Sequence, residues 1–378
     1  MLSPGRGPWP AIVVGAGPAG LATSSALTRL GVQHIVLERG DSVAYEWTRL
    51  YDSLTLHTGK HLSSLPGLRF PRETPLFPTR LQFLDYLNAY ARTLELPVVT
   101  GCPAQSIARE REGWRLTTPR GEMRSRHLVV ATGILGNPVV PVFPGRDLFH
   151  GRVLHSIRYR NPEPFRSRSV LVVGAGNSAG EIASELAGAG CRVTIAVRSG
   201  AVTLPRQILG IPIQYFAVCM VKLPAAVQQA IKSTTATVSQ WFRGPAVMPR
   251  PAPSPCPDVP LIGHHLVDAI RRGLVKVKGG IAALTREGAR FADASEEPFD
   301  DIILATGYRA SLDVLKGLIG TDDCGFARRK ERIVSLDQPD LYFVGHNYDT
   351  TGGLHNIARD ARLAALRIAA GPGPGPGS

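Results

Sequence analysis

This 378-residue chain contains two glycine-rich loops, and a charged residue follows each loop at the same distance. Their residue types and spacing indicate chemistry more clearly than any other part of the sequence. The first loop spans residues 15–20, and Glu38 stands 18 residues beyond Gly20. Such glycines permit a tight turn, close approach of backbone to a pyrophosphate and helix–strand contact, while the helix N-terminus binds phosphate. An acid at this distance binds a ribose diol and repels a 2′-phosphate. The loop is predicted to bind FAD, or alternatively NAD, but not NADP, through Gly15, Gly17, Pro18, Ala19, Gly20, Glu38 and Arg39.

A second loop over residues 174–180 repeats the pattern with the opposite charge. Arg198 stands 18 residues beyond Gly180, at the offset that Glu38 has from Gly20. A guanidinium there would bind a 2′-phosphate through charge-assisted hydrogen bonds worth about 2 to 3 kcal/mol, which favours NADPH over NADH. The alternative is a surface arginine that happens to follow a strand. The residues predicted to bind NADPH are Gly174, Gly176, Asn177, Ser178, Gly180, Arg198 and Ser199.

Buried parallel strands must hold both loops in place. Continuous apolar runs over residues 11–14 and 169–173 lead directly into the loops, as expected for strands covered on both faces. Each loop is followed later by an apolar strand ending in Ala-Thr-Gly, so that Thr132, Gly133, Thr306 and Gly307 are expected beside a cofactor. This internal repeat predicts two nucleotide-binding units.

The segment between the two units carries Phe149, Gly151, His155 and Tyr159. By itself, it could be a crossover loop with a partly buried histidine. Its Phe-x-Gly-x-x-x-His-x-x-x-Tyr pattern resembles the fingerprint of flavin-dependent monooxygenases that have two dinucleotide loops. The resemblance implies that this segment lies where the two cofactors meet and that His155 and Tyr159 are catalytic.

Residues 47–58 include Trp47, the pair Tyr51-Asp52 and His57, and their periodicity does not by itself assign them a role. The run resembles the plant YUCCA-type members of the class B flavin-containing monooxygenase family, which convert indole-3-pyruvate to indole-3-acetate. The resemblance places Trp47 and His57 at the flavin and makes His57 a catalytic candidate, at a position where animal members usually carry Asn. A packing or hydrogen-bonding role for His57 is the alternative.

The resemblance covers nearly the whole chain and implies an α/β fold with two Rossmann-like dinucleotide-binding domains of the three-layer β/β/α type. The FAD domain would be discontinuous, over residues 1–160 and 300–370, and split by an NADPH domain over residues 161–299. Residues 207–260 would form an insertion that covers the substrate, faces a membrane, completes the core or makes a dimer contact. Residues 371–378 are a Gly-Pro repeat and are predicted to form a disordered tail.

Composition narrows the choice of partners. The net charge is +13, but the basic residues are scattered and do not form a block interleaved with aromatics, so nucleic acid is not the expected partner. A cationic field also attracts NADPH and acidic substrates. The five cysteines form no Cys-x-x-Cys pair, which speaks against a metal site and a dithiol reductase. The absence of a secretory or membrane-spanning signal predicts a cytoplasmic enzyme, while peripheral membrane contact and a homodimer are left open.

The resemblance also implies a reaction: NADPH reduces FAD, O₂ gives a C4a-(hydro)peroxyflavin, and one oxygen atom passes to a small-molecule substrate. In the YUCCA-type version the substrate is an aryl 2-oxo acid such as indole-3-pyruvate, whose carboxylate could pair with Arg158 or Arg309. The main rival is N- or S-oxygenation. A Baeyer–Villiger reaction is less well supported, because those enzymes usually carry Trp where this chain has Tyr159. A non-oxygenating NADPH oxidase or reductase is the alternative from another class.

Overall fold

The computed structural model describes residues 8–221, 223–224, 227–228, 247–249, 256, 260–349 and 351–371. It divides into two compact units: unit 1 is Met1–Asn137 with Tyr308–Ser378, and unit 2 is Pro138–Gly307. Much of the predicted insertion at 207–260, and residues 372–378 of the predicted tail, lie outside the described residues.

The strands in chain order are β1 (Trp9–Val14), β2 (His34–Leu37), β3 (Val98–Val99), β4 (Ser106–Glu110), β5 (Gly113–Thr118), β6 (Gly121–Val130), β7 (Arg152–His155), β8 (Ser169–Val173), β9 (Arg192–Ala196), β10 (Thr203–Leu204), β11 (Gln207–Ile208), β12 (Ile211–Pro212), β13 (Leu261–Ile262), β14 (Val275–Lys278), β15 (Ile281–Leu284), β16 (Gly288–Phe291), β17 (Glu296–Pro298), β18 (Asp301–Leu304), β19 (Arg329–Lys330), β20 (Val334–Ser335) and β21 (Leu341–Phe343). The α-helices are α1 (Pro18–Arg29), α2 (Tyr45–Thr48), α3 (Lys60–Ser63), α4 (Arg80–Thr93), α5 (Asn177–Gly188), α6 (Ile213–Met220), α7 (His265–Arg271) and α8 (Gly353–Ala369).

Unit 1 is built on a sheet whose main path runs β19-β20-β21-β6-β1-β2-β3. Its centre is parallel, because β1 pairs in parallel with β2 and β6, and β6 pairs in parallel with β21. Helices α1, α4 and α8 contribute to the apolar core on one face, and the antiparallel strands β4 and β5 contribute to the core on the other. The central strands are therefore covered on both sides, which explains their unbroken apolar sequences.

Unit 2 has a fully parallel sheet with the order β14-β9-β8-β18-β7. One face packs against the antiparallel strands β15, β16 and β17, through a core that joins Leu171 and Leu304 to Phe291. Helices α5 and α7 pack against each other and against β9 and β14 on the other side. Both units thus have the predicted three-layer β/β/α arrangement, and the α/β fold class is confirmed.

The predicted domain boundaries differ from those of the two units at the paired strands β7 and β18. We expected residues 300–307 to rejoin the first domain and residues 138–160 to belong to it, but both segments lie in unit 2. The reason is strand pairing: β18 lies between β8 and β7, with Leu304 aligned with Val173 on one side and His155 on the other. The chain passes from unit 1 to unit 2 after Asn137, shortly after the first Ala-Thr-Gly segment, and returns to unit 1 after Gly307, the end of the second.

The described residues contain neither a membrane-spanning helix nor a cluster of metal ligands. Among them, no helix combines the length and apolar character needed to cross a membrane. Within the same residues, no group of three or more His, Cys, Asp or Glu side chains is arranged to hold a metal ion.

Candidate functional site

The first glycine loop connects β1 to α1, and its glycines meet different constraints. Gly15 has a φ of +102°, and a Cβ there would lie 2.6 Å from the Ala131 carbonyl oxygen. A Cβ on Gly20 would lie 1.8 Å from the Gly15 carbonyl oxygen, whereas a Cβ on Gly17 would meet nothing within 4 Å. The packing of the protein therefore requires glycine at the first and third positions, while the open space at Gly17 suits the approach of a pyrophosphate.

Helix α1 begins at this loop without a capping side chain. Its N-cap is Gly17 in an extended conformation, and Pro18 and Ala19 follow in the first turn. The backbone N–H groups at the start of a helix carry partial positive charge and are ready donors for phosphate oxygens. The described residues of this loop fit the pyrophosphate of FAD.

The Glu38 carboxylate lies directly after β2 and is buried against the loop. Its Oε2 accepts a hydrogen bond from the Ala16 N–H at 2.8 Å, and its Oε1 accepts one from the Gly40 N–H at 2.9 Å. Each carboxylate oxygen can accept more than one hydrogen bond, so capacity for a ribose diol remains. Arg39, next in the chain, is half-exposed and forms an ion pair with Glu46.

The flavin-facing candidates lie on the segment that follows β2. Trp47 is on α2 and packs edge-to-face on Phe83 of α4, with ring centroids 4.7 Å apart. His57 is partly buried in the loop between α2 and α3. Its neighbour Thr58 lies beside the N-terminus of α8, because a Cβ on Gly352 would be 3.2 Å from the Thr58 hydroxyl oxygen. The structure therefore brings the His57 segment to the start of α8.

The two Ala-Thr-Gly segments hold the chain where it crosses between strands. In unit 1, the Thr132 hydroxyl donates to the Ser311 carbonyl oxygen at 2.7 Å, and Ser311 N–H donates back to the Gly133 carbonyl. In unit 2, the Thr306 hydroxyl donates to the Val139 carbonyl oxygen at 2.5 Å, and Val139 N–H donates back to the Gly307 carbonyl. Both threonine hydroxyls thus donate to the protein itself, and a cofactor could reach them only through their acceptor lone pairs.

The second glycine loop connects β8 to α5 with closely similar geometry. Gly174 has a φ of +130°, and a Cβ there would lie 2.3 Å from the Ala305 carbonyl oxygen. A Cβ on Gly176 would meet nothing within 4 Å, and one on Gly180 would lie 2.7 Å from Leu261 Cδ1. The open position again falls at the middle glycine, and the loop fits a second pyrophosphate.

Two polar residues follow Gly176 in the first turn of α5. The Asn177 side chain is used by the protein, since its Nδ2 donates to the Pro260 carbonyl oxygen at 3.1 Å and its Oδ1 accepts from the Ile262 N–H at 2.7 Å. It fixes β13 against the loop, which the sequence did not indicate. Ser178 is partly buried beside it.

We call each glycine loop, together with the charged residue after the next strand, a cradle. The charged end of the second cradle, at Arg198 and Ser199, is open to solvent. Arg198 and Ser199 follow β9 after one intervening residue, Val197, and are both exposed. Across from them, Gly280 leaves room for the arginine, because a Cβ there would lie 3.4 Å from Arg198 Cγ. An exposed guanidinium with a neighbouring hydroxyl is well suited to a 2′-phosphate.

His155 and Tyr159 are both buried in unit 2, and their polar atoms contact protein groups. His155 Nδ1 accepts from the Ile157 N–H at 3.2 Å, and Nε2 lies 3.1 Å from the Gly307 carbonyl oxygen. Burial is the main cause that lowers the pKa of His155, so the imidazole is neutral near pH 7. The Tyr159 hydroxyl donates to Glu185 Oε2 on α5 at 2.8 Å. This geometry favours a positioning role for both residues over direct contact with the substrate.

Another buried histidine, His346, was missed by the sequence analysis. Among the described residues, neither ring nitrogen has a hydrogen-bond partner, and the ring packs near Phe326 and Phe343 at centroid distances of 6.0 and 5.4 Å. Burial lowers its pKa to about 3, and the charge of Arg329 adds to this effect. Only the tertiary packing of unit 1 distinguishes this histidine from the others in the sequence.

The chain has two glycine loops of similar geometry. The strand that follows the first loop, β2, ends beside an acid, Glu38, and the strand that follows the second loop, β9, ends near an arginine, Arg198. This arrangement is that of an oxidoreductase that binds two dinucleotides. The model of the family described as pyridine nucleotide-disulphide oxidoreductase matches residues 12–209. The chain is 37% identical over 377 residues to the indole-3-pyruvate monooxygenase YUCCA1 of Oryza sativa subsp. japonica, covering 95% of this chain and 91% of that protein. It is 35% identical over 370 residues to the probable indole-3-pyruvate monooxygenase YUCCA1 of Arabidopsis thaliana, covering 94% and 89%.

Among solved structures, a double mutant of the flavin monooxygenase from Stenotrophomonas maltophilia is similar, with a TM-score of 0.77 and 25% identity over 95% of this chain and 98% of that one. The chain belongs to the class B flavin-containing monooxygenases and, within them, to the YUCCA type. It is an FAD-dependent monooxygenase that uses O₂ and a small-molecule substrate. The family also implies FAD and NADPH as cofactors, as the sequence predicted.

Proposed function

We propose that unit 1 binds FAD, that unit 2 binds NADPH, and that the enzyme couples NADPH oxidation to oxygenation of an aryl 2-oxo acid such as indole-3-pyruvate. The observation that carries the cofactor assignment is the opposite charge at the ribose end of two otherwise similar cradles. The buried Glu38 carboxylate would repel a 2′-phosphate, while the exposed Arg198 guanidinium would bind it.

The substrate class is supported by relatives and by charge. The rice and Arabidopsis proteins that share 37% and 35% identity with this chain are indole-3-pyruvate monooxygenases by name, the second a probable one. A net charge of +13 favours an anionic substrate over a cationic amine. Oxidative decarboxylation of the 2-oxo acid is therefore the reaction that we propose.

FAD, when bound, supplies the redox and oxygen-transfer chemistry. The chain contributes binding and orientation. Under this proposal, Gly15, Gly17, Gly20 and the N-terminus of α1 hold the FAD pyrophosphate, Glu38 holds its ribose, and Trp47 with His57 lines the flavin. Gly174, Gly176 and Gly180 hold the NADPH pyrophosphate, with Arg198 and Ser199 at the 2′-phosphate.

His155 and Tyr159 act in this proposal as positioning residues for the nicotinamide unit. His155 joins the end of β7 to Gly307, and Tyr159 joins the following segment to α5 through Glu185. Together they fix the chain that follows β18 relative to the helix that begins at the second glycine loop. Loss of either contact would displace the loop rather than remove a reacting group.

The test of this function is a coupling measurement on the purified, flavin-loaded enzyme. NADPH consumption, H₂O₂ release and product are measured with indole-3-pyruvate, phenylpyruvate, thioethers, tertiary amines and cyclic ketones. We expect a 2-oxo acid to give stoichiometric CO₂ and the one-carbon-shorter acid with little peroxide. Tight coupling with a thioether or amine alone would instead assign S- or N-oxygenation. Conversion of all consumed O₂ to H₂O₂ with every compound would identify an oxidase.

A further inference from the structure

A cavity of about 340 Å³ opens on unit 1, and none of its lining residues belongs to the first glycine loop. Three arginines, Arg328, Arg329 and Arg332, line it together with Asp322, Leu336 and Asn347. No sequence motif pointed to these residues. The concentration of guanidinium groups in one concave site suggests an anionic ligand.

The three arginines differ in how their charge is balanced. Arg328 forms an ion pair with Asp337, and Arg332 Nε pairs with Asp360 Oδ1 at 2.9 Å. Arg329 binds only neutral acceptors among the described residues. Its Nε donates to the Ala327 carbonyl oxygen at 3.1 Å, and its Nη1 donates to the Arg332 carbonyl oxygen at 3.3 Å and to Asn347 Oδ1 at 3.2 Å.

Arg329 is therefore a partly buried cation whose hydrogen bonds go to no carboxylate in the described part of the chain. Burial is the main cause that lowers its pKa, and the more distant charges of Asp322 and Asp360 oppose this. Its Nη2 makes no hydrogen bond within the described structure. A partly buried cation is less well solvated than an exposed one, and an anion in the cavity would offset part of that loss.

The neighbours of Arg329 are held rigidly. Asn347 Nδ2 donates to Asp360 Oδ2 at 2.5 Å, and Arg332 Nη2 donates to Asn356 Oδ1 at 3.0 Å. Asp360 is fully buried on α8. This network fixes the two groups that bind Arg329 Nη1 and so pre-orients the guanidinium toward the cavity.

Strand topology places the cavity at the ligand-binding edge of the unit 1 sheet. Strand β21 runs parallel to β6 and β1, so the residues that follow it, including Asn347, emerge at the edge that carries the glycine loop. Strand β20 is antiparallel to β21, which brings the turn at Glu331 and Arg332 to the same edge. Ligands of open parallel sheets bind at the carboxyl ends of the strands.

The order of the strands also indicates the direction in which a bound dinucleotide would run across the sheet. Glu38 follows β2, the pyrophosphate loop follows β1, and β6 and β21 lie beyond β1 on the side opposite β2. A dinucleotide whose ribose is at Glu38 and whose pyrophosphate is at Gly17 runs from β2 toward β1, and the continuation of that direction leads toward β6 and β21. The arginine cavity thus lies on the side to which the redox end of the cofactor would point.

We propose that Arg329 is the carboxylate-binding residue for the substrate, and that the cavity takes a small organic acid. This inference rests on the proposed reaction of a 2-oxo acid, whose carboxylate matches the planar guanidinium. Arg158 and Arg309, the two candidates suggested by neighbouring motifs, are both exposed. Neither of them is among the residues that line the cavity, whereas Arg329 lines it and is partly buried, so Arg329 is the candidate that this site supports.

The experiment measures binding rather than turnover. Phenylpyruvate and its neutral methyl ester are titrated by calorimetry into the FAD-loaded enzyme without NADPH. The variants are Arg329→Gln and Arg329→Lys, and the control is Arg124→Gln, which removes an exposed arginine paired with Glu110 on the β4–β5–β6 meander. Visible flavin absorbance and the melting temperature check that each variant is folded and loaded.

We expect Arg329→Gln to raise the Kd of phenylpyruvate at least about tenfold, because a charge-assisted hydrogen bond is lost, with no change for the ester. Arg329→Lys should restore part of the affinity, and Arg124→Gln should change neither Kd. Should Arg329→Gln not retain flavin, a selective loss of phenylpyruvate affinity in Arg329→Lys carries the test. Equal phenylpyruvate affinity in wild type and the Arg329 variants, or no phenylpyruvate binding by wild type, overturns the inference.

The outcome is separable from that of the proposed function. If phenylpyruvate binds through Arg329 but no 2-oxo acid is oxygenated, the reaction assignment fails and the binding site stands. If 2-oxo acids are oxygenated while the Arg329 variants bind them normally, the reaction stands and the site assignment fails.

Discussion

Gly15 in unit 1 and Gly174 in unit 2 both follow a buried parallel strand, with φ values of +102° and +130°, and both face a carbonyl oxygen of an Ala-Thr-Gly segment. The middle glycines, Gly17 and Gly176, both face open space. The cradles diverge at the charged residue, which is a buried acid at Glu38 and an exposed base at Arg198. Under the proposed assignment, backbone geometry accounts for what the two sites share, a dinucleotide, and charge accounts for which dinucleotide each would bind.

A second difference between the cradles lies at the third glycine and gives the largest predicted effect. A Cβ on Gly20 would lie 1.8 Å from a backbone oxygen, whereas one on Gly180 would lie 2.7 Å from the far end of the Leu261 side chain. Gly20→Ala should destabilise unit 1 by roughly 3 kcal/mol or more and yield colourless protein. Gly180→Ala should cost about 1 kcal/mol or less, because a leucine rotamer can move and alanine favours the helix. Urea unfolding and flavin content measure both, and equal effects would contradict the comparison.

The two units also differ in how they bury a histidine. Burial lowers the pKa of His346 in unit 1 to about 3, and its ring has no hydrogen-bond partner in the described part of the chain. In unit 2, both ring nitrogens of His155 lie within hydrogen-bond distance of backbone groups. Between the unfolded pKa of 6.5 and about 3, the unfolded chain binds a proton that folded His346 does not. Stability should therefore fall as the pH drops below 6.5, by up to roughly 1.4 kcal/mol per pH unit from this residue.

His346→Leu should remove that part of the slope, because leucine does not titrate. Urea unfolding of wild type and His346→Leu at several pH values below 6.5 measures the difference. Since other histidines with lowered pKa, such as His34 and His155, are present in both proteins, they cancel. Parallel pH profiles for the two proteins would show that His346 is not buried in the neutral form.

Removing the positive charge of Arg198 should weaken the binding of NADPH but not the binding of NADH. Arg198→Gln should raise the Kd of NADPH roughly 30-fold or more, equivalent to about 2 kcal/mol, and leave that of NADH nearly unchanged. The neighbouring exposed residue Arg192, at the start of β9, provides the control in Arg192→Gln. Similar losses of both cofactors would point to a structural role for Arg198 instead of phosphate recognition.

Removing the charge at Glu38 should have the smallest effect of the four. Glu38→Gln keeps an acceptor for only one of the two N–H groups, at Ala16 and Gly40, that the carboxylate now binds. FAD affinity should fall by about 1 to 2 kcal/mol, roughly 5- to 30-fold, because one loop contact and one charge-assisted contact to the ribose weaken. Equilibrium dialysis of FAD against the apoprotein measures it. Unchanged affinity would remove Glu38 from the proposed FAD site.

The sequence allowed the fold class, the two loops and their following strands to be predicted, because buried parallel strands and glycine turns leave a local signature. It misplaced β18, since an apolar strand of four residues does not indicate which of two similar sheets it joins. It also missed the structural use of Asn177, Thr132 and Thr306. Their hydrogen-bond partners lie between 83 and 179 residues away in the chain.

The sequence did not single out Arg329 or His346 for a related reason. Their distinguishing feature is the absence of a direct counter-ion or of a hydrogen-bond partner in the described structure. Such a property belongs to the packed unit and not to any short pattern. Residues that sequence reasoning cannot separate from ordinary surface or core positions can thus be recognised once their surroundings are known.

The central claim, that an acid in one cradle and an arginine in the other assign FAD and NADPH to separate units, is tested most directly by anaerobic reduction of the yellow holoenzyme. NADPH and NADH are titrated into wild type and Arg198→Gln, and the loss of visible flavin absorbance is followed. We expect NADPH to reduce the wild-type flavin at far lower concentration than NADH, and the preference to disappear in the variant while the flavin stays bound. A purified chain that takes up no flavin, or a wild-type preference for NADPH that survives in Arg198→Gln, would contradict the account.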